Sequence, residues 1–440
     1  MDTSSLLPDN DLALLPTSGG TRPRVPNLTG PTSASLPIAV SSDDAQLLRG
    51  LLEDGPLPMP SGNGSSGRNN LGVGFGLDDM EEVRSLPLSE THIDDVLRIS
   101  QQMKASDVHI TVELPPMFRI DGKLTPSKWE PVTPREAQRI VYDILSSEQI
   151  ERFERTKELD FSYGVANVGR FRFNVYRQKG CVGFAMRAIP AIIPSIDQLR
   201  LPSILKDLTR KHAGLILVTG PTGSGKSTTI ASMIDVINSE KSLHIMTMED
   251  PIEYLHNHKK CMVNQREIGQ DTEGFQNAMR AVLREDPDII LVGEMRDKET
   301  IAAALTLAET GHLVFGTLHT RSAPSTVDRV IDVFPPDQQD QIKVQLSTSL
   351  EAVVAQQLLP MLGGGRIAAI EIMVATSAIR NLIREGKSYQ ITSSIETGAQ
   401  YGMQPMDKVL ADMQKAGMIS YEDAISRAID RDNFLRLTKG

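Results

Sequence analysis

Gly220-Pro221-Thr222-Gly223-Ser224-Gly225-Lys226-Ser227 constrains this chain more than any other stretch. It has G-x-x-x-x-G-K-S spacing, follows the apolar run 215–219 and opens a helical pattern over 226–238. A strand that enters a glycine-rich loop and leaves it as a helix is the context this motif needs. The glycines let successive backbone N–H groups turn toward phosphate oxygens, and the helix N-terminus adds a favourable dipole. Lys226 is placed to reach the β and γ phosphates of a nucleotide such as ATP, and Ser227 to hold Mg²⁺. Thr228 either approaches the α phosphate or begins the helix. A plain glycine-rich turn is the competing reading, but eight positions and both flanks agree against it.

The surroundings read as a parallel sheet. Short apolar runs at 243–248, 289–292 and 313–317 alternate with helical patterns such as 300–307. Such alternation argues for strands buried between helices on both faces. The last hundred residues read as mostly helical, with helices expected at 338–359, 377–383, 406–416 and 421–429. Before the sheet, residues 88–190 mix helix and strand patterns, with a hairpin turn at Asp121-Gly122. They form a smaller α+β unit.

Acidic groups lie where a phosphate-processing site needs them. The run Asp288-Ile289-Ile290-Leu291-Val292-Gly293-Glu294 delivers Glu294 to the C-terminal end of a strand, where sites in such sheets lie. Glu294 is placed to hold Mg²⁺ through water or to polarise an attacking water. Asp288, at the strand's other end, reads as structural. Glu249-Asp250-Pro251-Ile252-Glu253 follows the preceding strand, and position alone leaves Glu249, Asp250 and Glu253 equal as general bases. His312 and His319 bracket the last strand. His319 falls at its C-terminal end, within reach of a γ phosphate, while His312 enters at the other end. Neither has ligand-spaced neighbours for zinc. Arg170 and Arg172 share one strand face and Arg187 lies on the next strand. Convergent arginines suit a phosphate clamp, although a solvated sheet face is the commoner use of such residues.

Composition narrows the function classes. The 440 residues carry a net charge of -10, which argues against a protein that coats nucleic acid. Cys181 and Cys261 are the two cysteines, too few for a disulfide framework or a four-cysteine zinc module. No 18-residue apolar run and no signal-peptide core is present, so a cytoplasmic chain is expected. Residues 1–90 hold 10 Pro, 11 Gly, 12 Ser and one aromatic, Phe75, with a net charge of -7. That composition cannot offset its ordering entropy, and 1–87 is expected to be a disordered extension.

Taken in order, the folded part resembles the PilT-type twitching-motility ATPases of the type II/IV secretion ATPase superfamily. The residues that carry the resemblance are the loop at 220–227, the acidic box 249–253, and Leu283-Arg284-Glu285-Asp286-Pro287-Asp288 running into Gly293-Glu294-Met295-Arg296-Asp297. The histidine box 311–319 and Val330-Ile331-Asp332-Val333-Phe334-Pro335 complete the set. The resemblance covers roughly 90–440 and implies a RecA-like P-loop NTPase domain at 206–375. A PAS-like domain at 88–190 and a linker at 191–205 precede it, and a helical region at 376–440 follows. It further implies a homohexamer with ATP and Mg²⁺ between subunits and Glu253 as general base. Glu294 takes the metal-side carboxylate position, Arg172 and Arg187 reach across to phosphate, and His312 and His319 form the histidine box. Retraction motors also carry segments like Ala378-Ile379-Arg380-Asn381-Leu382-Ile383-Arg384-Glu385 and Gly402-Met403-Gln404, whereas assembly and secretion motors commonly carry the four-cysteine module this chain cannot form. Type IV pilus retraction is therefore expected, with pilus assembly or secretion as the alternative. The implied partner is an inner-membrane platform protein, acting indirectly on pilin, with the enzyme peripheral to the membrane and not bound to nucleic acid.

Overall fold

The computed structural model describes residues 87–190 and 192–439, so the expected extension lies, but for its last residue, outside the described residues. The first described helix, α1 (Ile93–Gln102), starts at His92, whose ring accepts from the Asp94 N–H, and it buries Ile93, Val96, Leu97 and Ile99. Strands β1 (Asp107–Ile110), β2 (Met117–Ile120) and β3 (Lys123–Pro126) follow, then α2 (Pro134–Tyr142), α3 (Ser147–Thr156), β4 (Glu158–Val165), β5 (Gly169–Gln178) and β6 (Cys181–Ile189). Capping boxes at Thr133 and Ser146 satisfy the first N–H groups of α2 and α3. Asp121 and Gly122 both take positive φ, which closes the tight turn from β2 to β3. The six strands pair antiparallel in the order β3-β2-β1-β6-β5-β4. Alternation along β5 buries Phe171, Phe173 and Val175 and turns Arg170, Arg172 and Asn174 to the opposite face. The buried face joins Phe118, Phe153 and Phe184 in one apolar cluster, each such ring contributing roughly 1.5–3 kcal/mol by burial.

The second sheet has seven strands: β7 (Gly214–Thr219), β8 (His244–Glu249), β9 (Met262–Glu267), β10 (Ile289–Val292), β11 (Leu313–Leu318), β12 (Leu350–Pro360) and β13 (Arg366–Val374). Their order is β13-β12-β7-β11-β10-β8-β9, parallel throughout except for the antiparallel β12–β13 pair. After α4 (Ile204–Thr209), helices α5 (Lys226–Glu240), α6 (Phe275–Val282), α7 (Lys298–Glu309), α8 (Ala323–Asp332) and α9 (Pro336–Ser349) connect the strands. Both faces are covered, as β7 shows residue by residue. Leu215 and Leu217 join the cluster of α7 and α8, while Ile216 and Val218 join that of α5. This is a RecA-like P-loop fold preceded by an α+β domain. Ile196 and Leu201, in the segment expected as a linker, are buried in the α5 cluster. Beyond the sheet come α10 (Ser377–Arg384), α11 (Ile391–Thr397), α12 (Met406–Lys415), α13 (Tyr421–Arg427) and α14 (Arg431–Lys439).

One expectation is overturned. Residues 338–359 are not a single helix: α9 ends at Ser349 and the chain enters β12, paired with β13, which was not expected. Residues 352–355 are buried on both faces, so no two-residue alternation marks them as strand. The Gly363-Gly364-Gly365 turn, with positive φ at the last two, is the local hairpin signal between β12 and β13. Among the described residues, no helix is long and apolar enough to cross a membrane.

Candidate active site

Four parallel strands end on one side of the sheet, and each delivers one part of the site. From β7 comes the phosphate loop. Its Gly220 has φ +143°, and a Cβ there would meet the Gln356 carbonyl oxygen at 2.2 Å and Ser224 Oγ at 2.6 Å. Gly225, with φ +89°, begins α5, and a Cβ there would meet Gln356 Nε2 at 2.8 Å. Both positions therefore require glycine on conformational and steric grounds. Gln356, on the neighbouring β12, braces the loop from beneath. Its Nε2 donates to the Ser224 carbonyl at 2.7 Å and its Oε1 accepts from Thr229 Oγ1 at 2.8 Å. Lys226 Nζ donates to the carbonyls of Gly220 and Pro221 at 2.8 and 3.2 Å. Burial pulls its pKa down, against the opposing carboxylates of Glu294 and Glu253.

The loop forms one wall of a cleft of about 620 Å³, and Glu249, Asp250, Glu253, Tyr254, Glu294, Arg296, His319 and Arg187 are among the residues that line the rest. β8 supplies the acidic box, and the structure separates its members. Glu249 is pinned: its Oε1 accepts from Thr247 Oγ1 at 2.7 Å and from Gln265 Nε2 at 3.1 Å. Burial pushes its carboxyl up to about 7, despite those hydrogen bonds. Asp250 and Glu253 are exposed in the cleft. Tyr254 shares a hydrogen bond with Thr228 Oγ1 at 2.9 Å, tying the acidic loop to the first turn of α5.

β10 supplies Glu294 and β11 supplies His319, and the two meet. His319 Nε2 lies 2.7 Å from Glu294 Oε1, and Arg296 Nη2 donates to Glu294 Oε2 at 2.6 Å. The Arg296 hydrogen bond holds the Glu294 carboxyl below its usual range, burial opposes it, and His319 adds to the depression. His312 lies at the opposite strand end, its Nδ1 3.0 Å from the Leu307 carbonyl oxygen, and it does not line the cleft. Asp288 accepts from the His244 N–H at 2.8 Å at that same far end.

The arginines divide. Arg187 lines the cleft of its own chain, its side chain 73% exposed, with Nε donating to Asp107 Oδ1 at 2.7 Å. Arg172 stands opposite Arg187 across β5 and β6, 3.9 Å from Asp160, and is not among the lining residues. Arg170 turns to Glu267. Sequence reasoning missed Gln356, Gln265, Tyr254 and the carboxylate partner role of Arg296. A polar pair, Gln356-Gln357, inside an apolar run was a usable signal, because a buried amide requires partners.

The donors fit a nucleotide triphosphate with a divalent cation. Ser224 Oγ is buried without a hydrogen-bond partner beside the glycine cradle, and Ser227 and the anionic Glu294 face the same cleft. Among the described residues, no three His, Cys, Asp or Glu side chains cluster to hold a metal by themselves. Mg²⁺ in nucleotide sites takes few protein ligands and completes its shell with phosphate and water.

The chain is similar to known proteins in sequence and in fold. Residues 83–364 match the family described as Type II/IV secretion system protein. The chain is 49% identical over 342 residues to the type IV pilus retractation ATPase PilT of Pseudomonas aeruginosa, covering 78% of this chain and 99% of that protein. It is 47% identical over 314 residues to a twitching motility protein of Neisseria gonorrhoeae, covering 71% and 84% of the two chains. Among solved structures, the pilus retraction motor PilT with bound ADP superposes with a TM-score of 0.75 at 48% identity, over 79% of this chain and 100% of that one. The Legionella pneumophila ATPase DotB superposes with a TM-score of 0.64 at 27% identity, over 76% and 95%. On matches of this length and identity, the chain belongs to the type II/IV secretion system protein family, as a homologue of its PilT-type twitching-motility ATPases.

Proposed function

We propose that this chain is an ATP-hydrolysing motor that drives type IV pilus retraction. One observation carries the reading: Lys226, Glu253, Glu294 and His319 converge on one cleft in a chain that spans nearly the whole length of a pilus retractation ATPase. The chemistry follows from the residues. Backbone N–H groups of the loop and Lys226 bind the β and γ phosphates and gather their charge. Ser227 and Glu294 would hold Mg²⁺, which when bound screens the phosphate oxygens. Glu253, exposed in the cleft, takes the proton from the attacking water. Glu249 is pinned by two donors and stays behind as part of the floor. His319 holds Glu294 from the side and orients it.

The motor works as a homohexamer, with Arg172 and Arg187 completing phosphate binding across a subunit junction. Arg187 borders its own chain's cleft yet is 73% exposed, so it also has a free face for a neighbour's phosphate. The α+β domain is read as PAS-like, and the motor as acting on an inner-membrane platform protein at the cytoplasmic face, without inserting. Retraction is favoured over assembly by the two-cysteine count and by α10. Phosphate release by purified protein tests the chemistry. Glu253→Gln should keep ATP affinity and lose on the order of 10² to 10⁴ in rate. Lys226→Ala should be inactive, and so should a chain lacking Arg172 and Arg187. Mixing these two should restore some turnover, because one junction type regains both halves. An unchanged rate for Glu253→Gln would move the base elsewhere, and no recovery in confirmed mixed rings would place the arginines in their own chain's site.

A further inference from the structure

Glu267 ends β9 outside the cleft lining, yet it is bonded on two sides. It is 4% exposed. From one side its carboxylate accepts the Ile252 N–H at 3.2 Å, one residue before Glu253. From the other it accepts Ser162 Oγ at 2.7 and 2.9 Å and pairs with Arg170 Nη2 at 3.4 Å. Ser162 and Arg170 belong to β4 and β5, in the α+β domain. A buried carboxylate is tolerated when its lone pairs are all engaged, and removing one partner is costly. Here the engagement joins two domains through one side chain.

The position of Ser162 gives the contact its consequence. Ser162 stands opposite Arg172, and Arg172 opposite Arg187, in one row across β4, β5 and β6. A grip on Ser162 therefore fixes that row, while the Ile252 N–H fixes the loop that carries Glu253. We propose that Glu267 is a positioning residue that couples the placement of the α+β domain to that of the Glu253 loop, so that the base and the arginines are set together. The inference rests on the reading of Glu253 as the base. Glu267 touches no reacting group. It acts through the backbone of Ile252 and the hydroxyl of Ser162.

Steady-state ATP hydrolysis by the full chain tests it. Ser162→Ala removes the shorter of the two inter-domain contacts of Glu267, leaves the Arg170 pair at 3.4 Å and keeps the Ile252 N–H satisfied. Glu267→Gln keeps the shape and mismatches a donor. Displacing a catalytic group by about 1 Å costs up to ~10²-fold. Each variant should therefore lose about ten- to a hundredfold in kcat, with KM for ATP within about twofold of wild type. The double variant should be no slower than the slower single one, because both act in one network. Ser162→Thr, which keeps the hydroxyl, should recover rate. A packing strut would instead lower the melting temperature and leave kcat per folded ring intact. Should Glu267→Gln fail to fold, Ser162→Ala carries the test alone. Wild-type kcat for Ser162→Ala, a loss confined to KM, or losses that multiply in the double variant would overturn the coupling. Glu253→Gln runs beside them. Full activity there sinks the base assignment and with it what Glu267 is said to position. An inactive Glu253→Gln beside a fully active Ser162→Ala sinks the coupling alone.

Discussion

Gln356 is 2% exposed, and its amide engages Ser224 and Thr229 on either side of the phosphate-loop lysine. Truncation to Ala leaves a carbonyl and a hydroxyl buried without partners, each costing about 1–3 kcal/mol. Gln356→Ala is therefore expected to destabilise the folded chain by about 2–6 kcal/mol and to weaken nucleotide binding. Urea unfolding and nucleotide titration check both, and no change in either would show that the loop is braced elsewhere. Glu249 makes the second residue-scale case. Its folded carboxyl sits at about 7 against an ordinary 4.5, because burial disfavours the charge. The folded chain thus binds a proton between those values that the unfolded chain has released. The stability this group contributes is fully present below about 4.5 and lost as pH rises through about 7. Glu249→Gln should flatten the fall in urea midpoint across that window. An identical pH profile in both proteins would mean the carboxyl titrates normally. At this scale the sequence pointed to Lys226, Glu253, Glu294 and His319, all of which line the one cleft. It left Glu249 and Glu253 equal, because burial and hydrogen bonding, not position, separate them.

Elements were legible where their pattern was unmixed. β7 announced itself by an apolar run leading into the glycine loop, and β5 by strict alternation of Phe and Arg. β12 was not legible, since burial on both faces erases the period that separates strand from helix. The junction it replaces is held by α10. Arg380 Nη1 donates to the carbonyls of Ser347 and Thr348 at 3.0 and 2.8 Å, at the last turn of α9. Its Nη2 pairs with Glu351 at 2.5 Å. A cation on orphan C-terminal carbonyls satisfies them and complements the helix dipole. Arg384, one turn on, is exposed. Arg380→Ala should cost roughly 2–3 kcal/mol, and Arg384→Ala under about 0.5 kcal/mol. Equal shifts in melting temperature would contradict the assignment.

At the scale of the whole molecule, the α+β domain and the RecA-like domain were both legible as separate units. Their bond was not. Ser162 and Glu267 are 105 residues apart, and neither stands in a recognisable motif. Nothing local in sequence signals a contact that exists only once two sheets are docked. The same holds for Arg187, whose place in the cleft depends on that docking and not on the parity that marked Arg170 and Arg172. Motor function is a property at this scale too, because a cleft that hydrolyses ATP does not by itself say which way a filament moves. The most direct test is a count of surface pili, with twitching scored alongside, in the source organism after deletion of this gene. The retraction account predicts cells that carry many pili and do not twitch, restored by the wild-type chain and not by Lys226→Ala. Cells without pili would contradict it and make the chain an assembly motor.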